Sequence, residues 1–112
     1  MRYAIPIKGG KLSSHFGPCE TFTLFDVDEN TKEIVGHEEV PSPGHEPGVL
    51  PAFLAEHGAS VIIAGGMGSR AVTLFEDNRI QVVLGAPEDD PEIVMKAYLA
   101  GTLATIDNVC DH

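Results

Sequence analysis

Basic residues are scarce in this chain of 112 residues: 7 Lys and Arg stand against 17 Asp and Glu, a formal net charge of −10. Nucleic acids and anionic membranes are bound through clustered Lys and Arg that neutralise phosphates. No such cluster is visible, so neither is an expected partner. The surplus acid reads as a solvated surface that opposes aggregation. Long apolar runs are missing too, since none approaches the roughly 20 residues that span a bilayer. The opening Met1-Arg2-Tyr3-Ala4-Ile5-Pro6-Ile7-Lys8 is too short and too interrupted for a secretory leader, so a cytoplasmic location is expected. Cysteine is confined to Cys19 and Cys110. In a cytoplasmic chain reduced thiols are the default, and two are too few for a four-cysteine iron–sulfur site within one monomer.

Other absences narrow the chemistry. The glycine-rich stretch Ala64-Gly65-Gly66-Met67-Gly68-Ser69-Arg70 lacks the lysine of a phosphate-binding P-loop and the spacing of a dinucleotide fingerprint. No G-x-S-x-G elbow is present. The first strand, Arg2–Ile7, carries no acid, which disfavours a two-metal nuclease. No repeat, low-complexity tract or linker appears, and residues 1–112 read as a single domain with 102–112 as its C-terminal tail.

Hydrophobic residues make up 43% of the chain, enough for a packed core. Arg2–Ile7, Thr21–Asp28 and Glu33–Val40 read as strands, the second by its alternation of apolar and polar residues. Ser60–Ala64 and Gln81–Leu84 are short apolar runs of the kind found inside parallel sheets. Helices are expected from near Pro47 to Gly58, from about Ser69 to Asn78, and from an Asp90 N-cap with Pro91 in the first turn to Gly101. The order βββαβαβα is that of an α/β domain: an antiparallel meander followed by right-handed crossovers. On this topology the loops Lys8–Glu20, Pro41–Glu46 and Gly65–Gly68 share one sheet edge. The first and fourth strands meet where the winding reverses, the usual place for a ligand crevice.

Soft donors fall in those loops. His15-Phe16-Gly17-Pro18-Cys19 sets an imidazole and a thiol four residues apart, a pair suited to zinc, copper, iron or a sulfide-bearing cluster. Alone, the same spacing also fits a loop histidine beside a small buried cysteine. Pro41-Ser42-Pro43-Gly44-His45-Glu46-Pro47-Gly48 is stiffened by its prolines and would hold His45 in place, or serve simply as a crossover connection. Gly65, Gly66 and Gly68 allow close approach of backbone N–H groups to a ligand, with Met67 as a further donor and Arg70 supplying positive potential. A tight strand-to-helix turn would use the same glycines. The ending Asn108-Val109-Cys110-Asp111-His112 adds a thiol and an imidazole on a tail that spans roughly 35 Å when extended, though termini commonly fray. His37 and His57 read as surface or packing histidines.

With these residues in view, the chain resembles the dinitrogenase iron–molybdenum cofactor biosynthesis family, the group that includes NifX and the C-terminal domain of NifB. The resemblance rests on Ser14–Glu20, His45–Pro51, Ile63–Ala71 and Asn108–His112, separated motifs in the family's order. It implies a ribonuclease-H-like three-layer domain without nuclease function, its mixed five-stranded sheet ordered 3-2-1-4-5. It also implies binding or carriage of a metal–sulfur cluster of iron–sulfur, molybdenum–iron or molybdenum–copper type. His15, Cys19, His45, Cys110 and His112 are then the expected metal ligands, with Gly65, Gly66, Met67, Gly68 and Arg70 around the cargo. Cluster donor and acceptor proteins would be partners, and a homodimer would pool thiols from two chains. No radical-SAM Cys-x₃-Cys-x₂-Cys segment is present, so the chain is not expected to be an enzyme that builds the cluster. Three other readings stand beside this one: a metal-free regulatory or assembly module, a thiol enzyme using Cys19, and a simple zinc protein.

Overall fold

A computed structural model describes residues 1–13, 20–42 and 49–101. The chain order is β1 (Arg2–Lys8), β2 (Lys11–Leu12), β3 (Thr21–Asp28), β4 (Glu33–Pro41), α1 (Val49–Glu56), β5 (Ala59–Ile63), α2 (Ser69–Asp77), β6 (Gln81–Val83) and α3 (Pro91–Leu99). The strands form one mixed six-stranded sheet with the path β4-β3-β1-β5-β6, β2 pairing with β1 off that path. β1 is antiparallel to β3 and β3 to β4, whereas β1–β5 and β5–β6 are parallel. β1, β4, β5 and β6 therefore all point their C-terminal ends to one side of the sheet.

The expected sheet had five strands, and β2 is the correction. Lys8-Gly9-Gly10-Lys11 closes a hairpin in which Gly9 and Gly10 have φ of 63° and 80°. Two successive positive φ values make the turn that matches strand twist, and glycine adopts them without steric cost.

The central strands are apolar on both faces because both are covered. On one face Ala4, Phe22, Leu24 and Ile62 pack against Leu50 and Leu54 of α1 and Phe75 of α2. On the other, Tyr3, Ile5, Ile7, Phe25, Val27, Val61 and Ile63 meet Val94 and Met95 of α3. The result is three layers, helices over and under a sheet. β4 is an edge strand and alternates accordingly. Its register against β3 shifts between Asp26 and Val27, leaving Val35 as an extra residue that is 67% exposed. Such a bulge, flanked by exposed Glu33, Glu38 and Glu39, discourages pairing with another chain. Among the described residues no helix is long and apolar enough to cross a membrane.

α3 begins as expected, with the Asp90 carboxylate accepting from the Glu92 N–H at 2.9 Å and Pro91 in the first turn. The expected start of the first helix at Pro47 lies outside the described residues, and α1 is described from Val49. His57 packs on Phe53, ring centroids 4.3 Å apart, and its Nδ1 lies 2.8 Å from the Phe53 carbonyl. His37 is exposed on β4, so both keep the packing or surface roles expected of them.

At the other sheet end a bidentate pair joins three elements. Arg2 Nε and Nη2 donate to the Asp26 carboxylate at 2.8 and 3.1 Å, and Nη1 donates to the His57 carbonyl at 3.1 Å. The hydrogen bonds from Arg2 hold the Asp26 carboxyl below the ordinary carboxylate range. A depressed pKa contributes stability above the unfolded value, near pH 4, that is lost as pH falls through the folded value. Asp26→Asn should therefore flatten the stability–pH curve below about pH 4. At neutral pH it should cost about 1 kcal/mol or less, because the pair is partly exposed. Urea midpoints measured from pH 2 to 7 provide the check; the same acid slope in both proteins would contradict the assignment.

Candidate functional site

β3 occupies one edge of β1 as far as the Ile7–Thr21 pair, so β2, paired at Ile7–Leu12, must take the other edge. That second edge is the one β5 uses lower down, where its ladder runs through Arg2, Tyr3 and Ala4. β2 thus continues the line of β5 beside β1, at the point where the winding reverses and α/β sheets form crevices. The Leu12 N–H donates to the Asp89 carbonyl at 2.9 Å, fastening β2 to the loop before α3.

The two ends of the segment 14–19 are held on opposite edges of β1. The Ser13 N–H donates to the Pro6 carbonyl at 2.8 Å, and the Glu20 N–H donates to the Ile7 carbonyl at 2.7 Å. Glu20 does more than close the loop. Its carbonyl accepts from the Ser42 N–H at 3.1 Å, and its Oε1 accepts from the Gly9 N–H at 2.8 Å. One residue therefore ties together the end of β1, the β1–β2 turn and the exit from β4. Cys19 directly precedes this clamp in the chain, and His45 is the third residue after Ser42. Sequence reasoning missed the clamp, although an acid opening a strand opposite a Gly-Gly turn was a signal for it.

The third wall is the turn after β5. The β5–β6 ladder runs on past both strands, with Ala64 N–H donating to the Val83 carbonyl at 2.9 Å and Gly85 N–H to the Gly65 carbonyl at 2.8 Å. Gly65 and Gly66 are buried. Met67 is 1% exposed and packs in the core with Leu54 and Phe75. Gly68 is exposed and serves as N-cap of α2 in extended conformation, so no side chain caps that helix, and no acid sits in its first turn. Free N–H groups at a helix start favour an anion. Arg70 is exposed in the same turn and pairs with no carboxylate among the described residues.

The expected metal ligands, His15, Cys19, His45, Cys110 and His112, lie outside the described residues. Among the described residues no three His, Cys, Asp or Glu side chains gather as a metal site. The described rim is thus a set of anchors and buried glycines, with the exposed Arg70 beside them. Both cysteines and three of the five histidines belong to the segments 14–19, 43–48 and 102–112.

Known proteins share this frame. The uncharacterized protein MJ0580 of Methanocaldococcus jannaschii is 32% identical over 108 residues, covering 92% of this chain and 89% of that protein. The crystal structure of PH0822 matches with a TM-score of 0.86 and 33% identity, 96% of each chain being covered. The apo form of the orange protein from Desulfovibrio gigas shares the fold at a TM-score of 0.72 and 22% identity, covering 96% of this chain and 93% of that one. The family profile described as dinitrogenase iron-molybdenum cofactor matches residues 1–101, a span that takes in all the described strands and helices. By that match over residues 1–101, this chain belongs to the dinitrogenase iron–molybdenum cofactor family.

Proposed function

We propose that this chain binds and carries, or scaffolds, a metal–sulfur cluster at the rim formed by the C-terminal ends of β1, β4 and β5. His15, Cys19, His45, Cys110 and His112 would supply the ligands. The single observation that carries the reading is the clamp at Glu20, whose main chain bonds both Ile7 and Ser42. It fastens the flanks of two donor-bearing segments to the same strand end. The donor chemistry fits the cargo: thiolate and imidazole are soft ligands suited to clusters containing iron, copper or sulfide. Few such ligands permit retention without irreversible capture, with hydrogen bonds from neighbouring groups completing the hold. The uncapped start of α2, the Gly65–Gly68 backbone and Arg70 would offset the repulsion between an anionic cluster and a chain of net charge −10.

Cluster donor and acceptor proteins follow as partners, and no reaction is assigned to the chain itself. The sheet path with β1 central is in keeping with a ribonuclease-H-like domain put to carriage.

The test is anaerobic reconstitution with iron and sulfide, and separately with molybdate, copper and sulfide. Visible absorption and stoichiometric metal by elemental analysis are expected. A Cys19→Ala/His45→Ala variant should lose most of both while keeping the far-UV dichroism of the parent. An unchanged spectrum and metal content in that variant would remove the assigned site.

A further inference from the structure

The chain leaves α3 beside an open groove. Ala100 caps the helix, and Gly101 follows with φ of 73°, its N–H donating to the Tyr98 carbonyl at 3.1 Å. A left-handed glycine in that position turns the backbone back over the last helical turn. There α3 and the start of β4 leave a groove of about 520 Å³ between them. Ile34, Leu99 and Ala100 supply its apolar lining, and Lys32, Lys96, Glu33 and Glu92 its charged one. Ile93, 56% exposed and three residues before Lys96, extends the apolar surface along α3.

The sequence that follows Gly101 matches this lining. In residues 102–112, which lie outside the described residues, Leu103 and Ile106 stand three apart, Asp107 comes next, and no Lys or Arg occurs. The groove offers the opposite charge. Lys96 pairs with Glu92 at 3.1 Å, whereas Lys32 pairs with no carboxylate among the described residues. Two of the chain's 7 basic residues thus gather where an acidic tail begins. From Ala100 back to Glu92 the helix covers about 12 Å, the span of about four extended residues. A tethered segment needs little intrinsic affinity, because a short linker keeps its effective concentration in the millimolar range. An outside partner lacks that advantage, so the tail is the favoured occupant.

We propose that the tail segment 102–107 docks in this groove, with Leu103 and Ile106 against Ile34 and Leu99 and with Asp107 meeting Lys32. The groove shares Ile34 and Glu92 with a smaller recess that reaches Gly10 in the β1–β2 turn. That recess carries Glu39 and Asp90 and no Lys or Arg, so the lysines of the groove are the place for Asp107. The last five residues, roughly 17 Å when extended, then set out toward the rim instead of from the lower end of α3. This consequence rests on the proposed reading of Cys110 and His112 as ligands; the docking itself does not.

Methyl NOEs in the full chain test the docking without any cluster. Cross-peaks from Leu103 or Ile106 to Ile34 or Leu99 are expected, with a Leu103 amide order parameter of about 0.85. Ile106→Asp should remove the cross-peaks and drop that order parameter below about 0.6, with the far-UV dichroism unchanged. Lys32→Glu should lower it as well, whereas Lys8→Glu, the same charge change at the other end of the sheet, should not. A parent without the cross-peaks and with Leu103 below about 0.6 would overturn the proposal. So would cross-peaks seen only between chains in a mixed-label sample, which assign the groove to a second copy, or an equal response to the two lysine variants. Metal content after reconstitution is read separately: docking without cluster uptake supports this proposal and ends the carrier reading.

Discussion

Phe75→Ala should lower the unfolding free energy by about 3–5 kcal/mol, the largest stability loss expected of any single change in the second helix. The reason is the composition of α2. Along Ser69–Asp77 only Phe75 is buried, and it is fully so. It reaches into the cluster that holds Phe22, Leu54, Ile62 and Met67, while Ala71 and Val72 are only partly covered. Removing the ring deletes the transfer free energy of a buried aromatic and leaves a cavity that a rigid sheet cannot close. Against a typical total of about 5–15 kcal/mol, this is a large fraction. Phe75→Leu, which keeps most of the volume, should lose clearly less. Equilibrium urea unfolding checks both variants, with an unchanged m-value expected if only stability is altered. A loss below about 1 kcal/mol in the alanine variant would mean that α2 is held by contacts other than this ring. The consequence reaches the rim, because α2 carries Gly68 and Arg70 at its start; loosening the helix should also weaken cluster uptake.

Much of this architecture could be read from residue patterns. Thr21–Asp28 alternates in sequence and is a strand over the same residues, because one period of two suffices to assign a strand of that length. Asp90-Pro91 announced the start of α3 through two local rules, a capping carboxylate and a proline whose missing N–H is not needed there. The hairpin at Lys8–Lys11 is not legible in the sequence, since two-residue strands carry no periodicity and Gly9-Gly10 reads as part of a long loop. Met67 illustrates a different gap. Its sequence setting, between glycines ahead of a helix, is that of a ligand-facing turn, yet the side chain faces the core. A glycine-rich turn specifies where the backbone goes; which way its one large side chain points is decided by the space between α1 and α2. The proposed donors at positions 15, 19, 45, 110 and 112 lie outside the described residues, and the flanks of the first three are fastened through Ser13, Glu20 and Ser42.

Met67 also yields the second large effect, and one that separates packing from ligation. At 1% exposure within the core, Met67→Ala should cost about 2–5 kcal/mol. Leucine matches methionine closely in volume and replaces the thioether with carbon, so Met67→Leu should cost less than about 1.5 kcal/mol. The two substitutions bear differently on the cargo. If the sulfur serves packing alone, the leucine variant should take up metal with the stoichiometry and absorption of the parent. The alanine variant should bind more weakly in proportion to its loosened core, because Gly65, Gly66 and Gly68 depend on that packing for their position. If the sulfur is a donor, leucine is the more informative failure: stability near that of the parent, with a shifted or diminished visible band. We expect the first pattern, since Met67 is 1% exposed within the core cluster that holds Leu54, Ile62 and Phe75. Urea midpoints and reconstituted spectra measured on the same preparations decide the matter, and a stable, colourless leucine variant would place the Met67 sulfur in the coordination sphere.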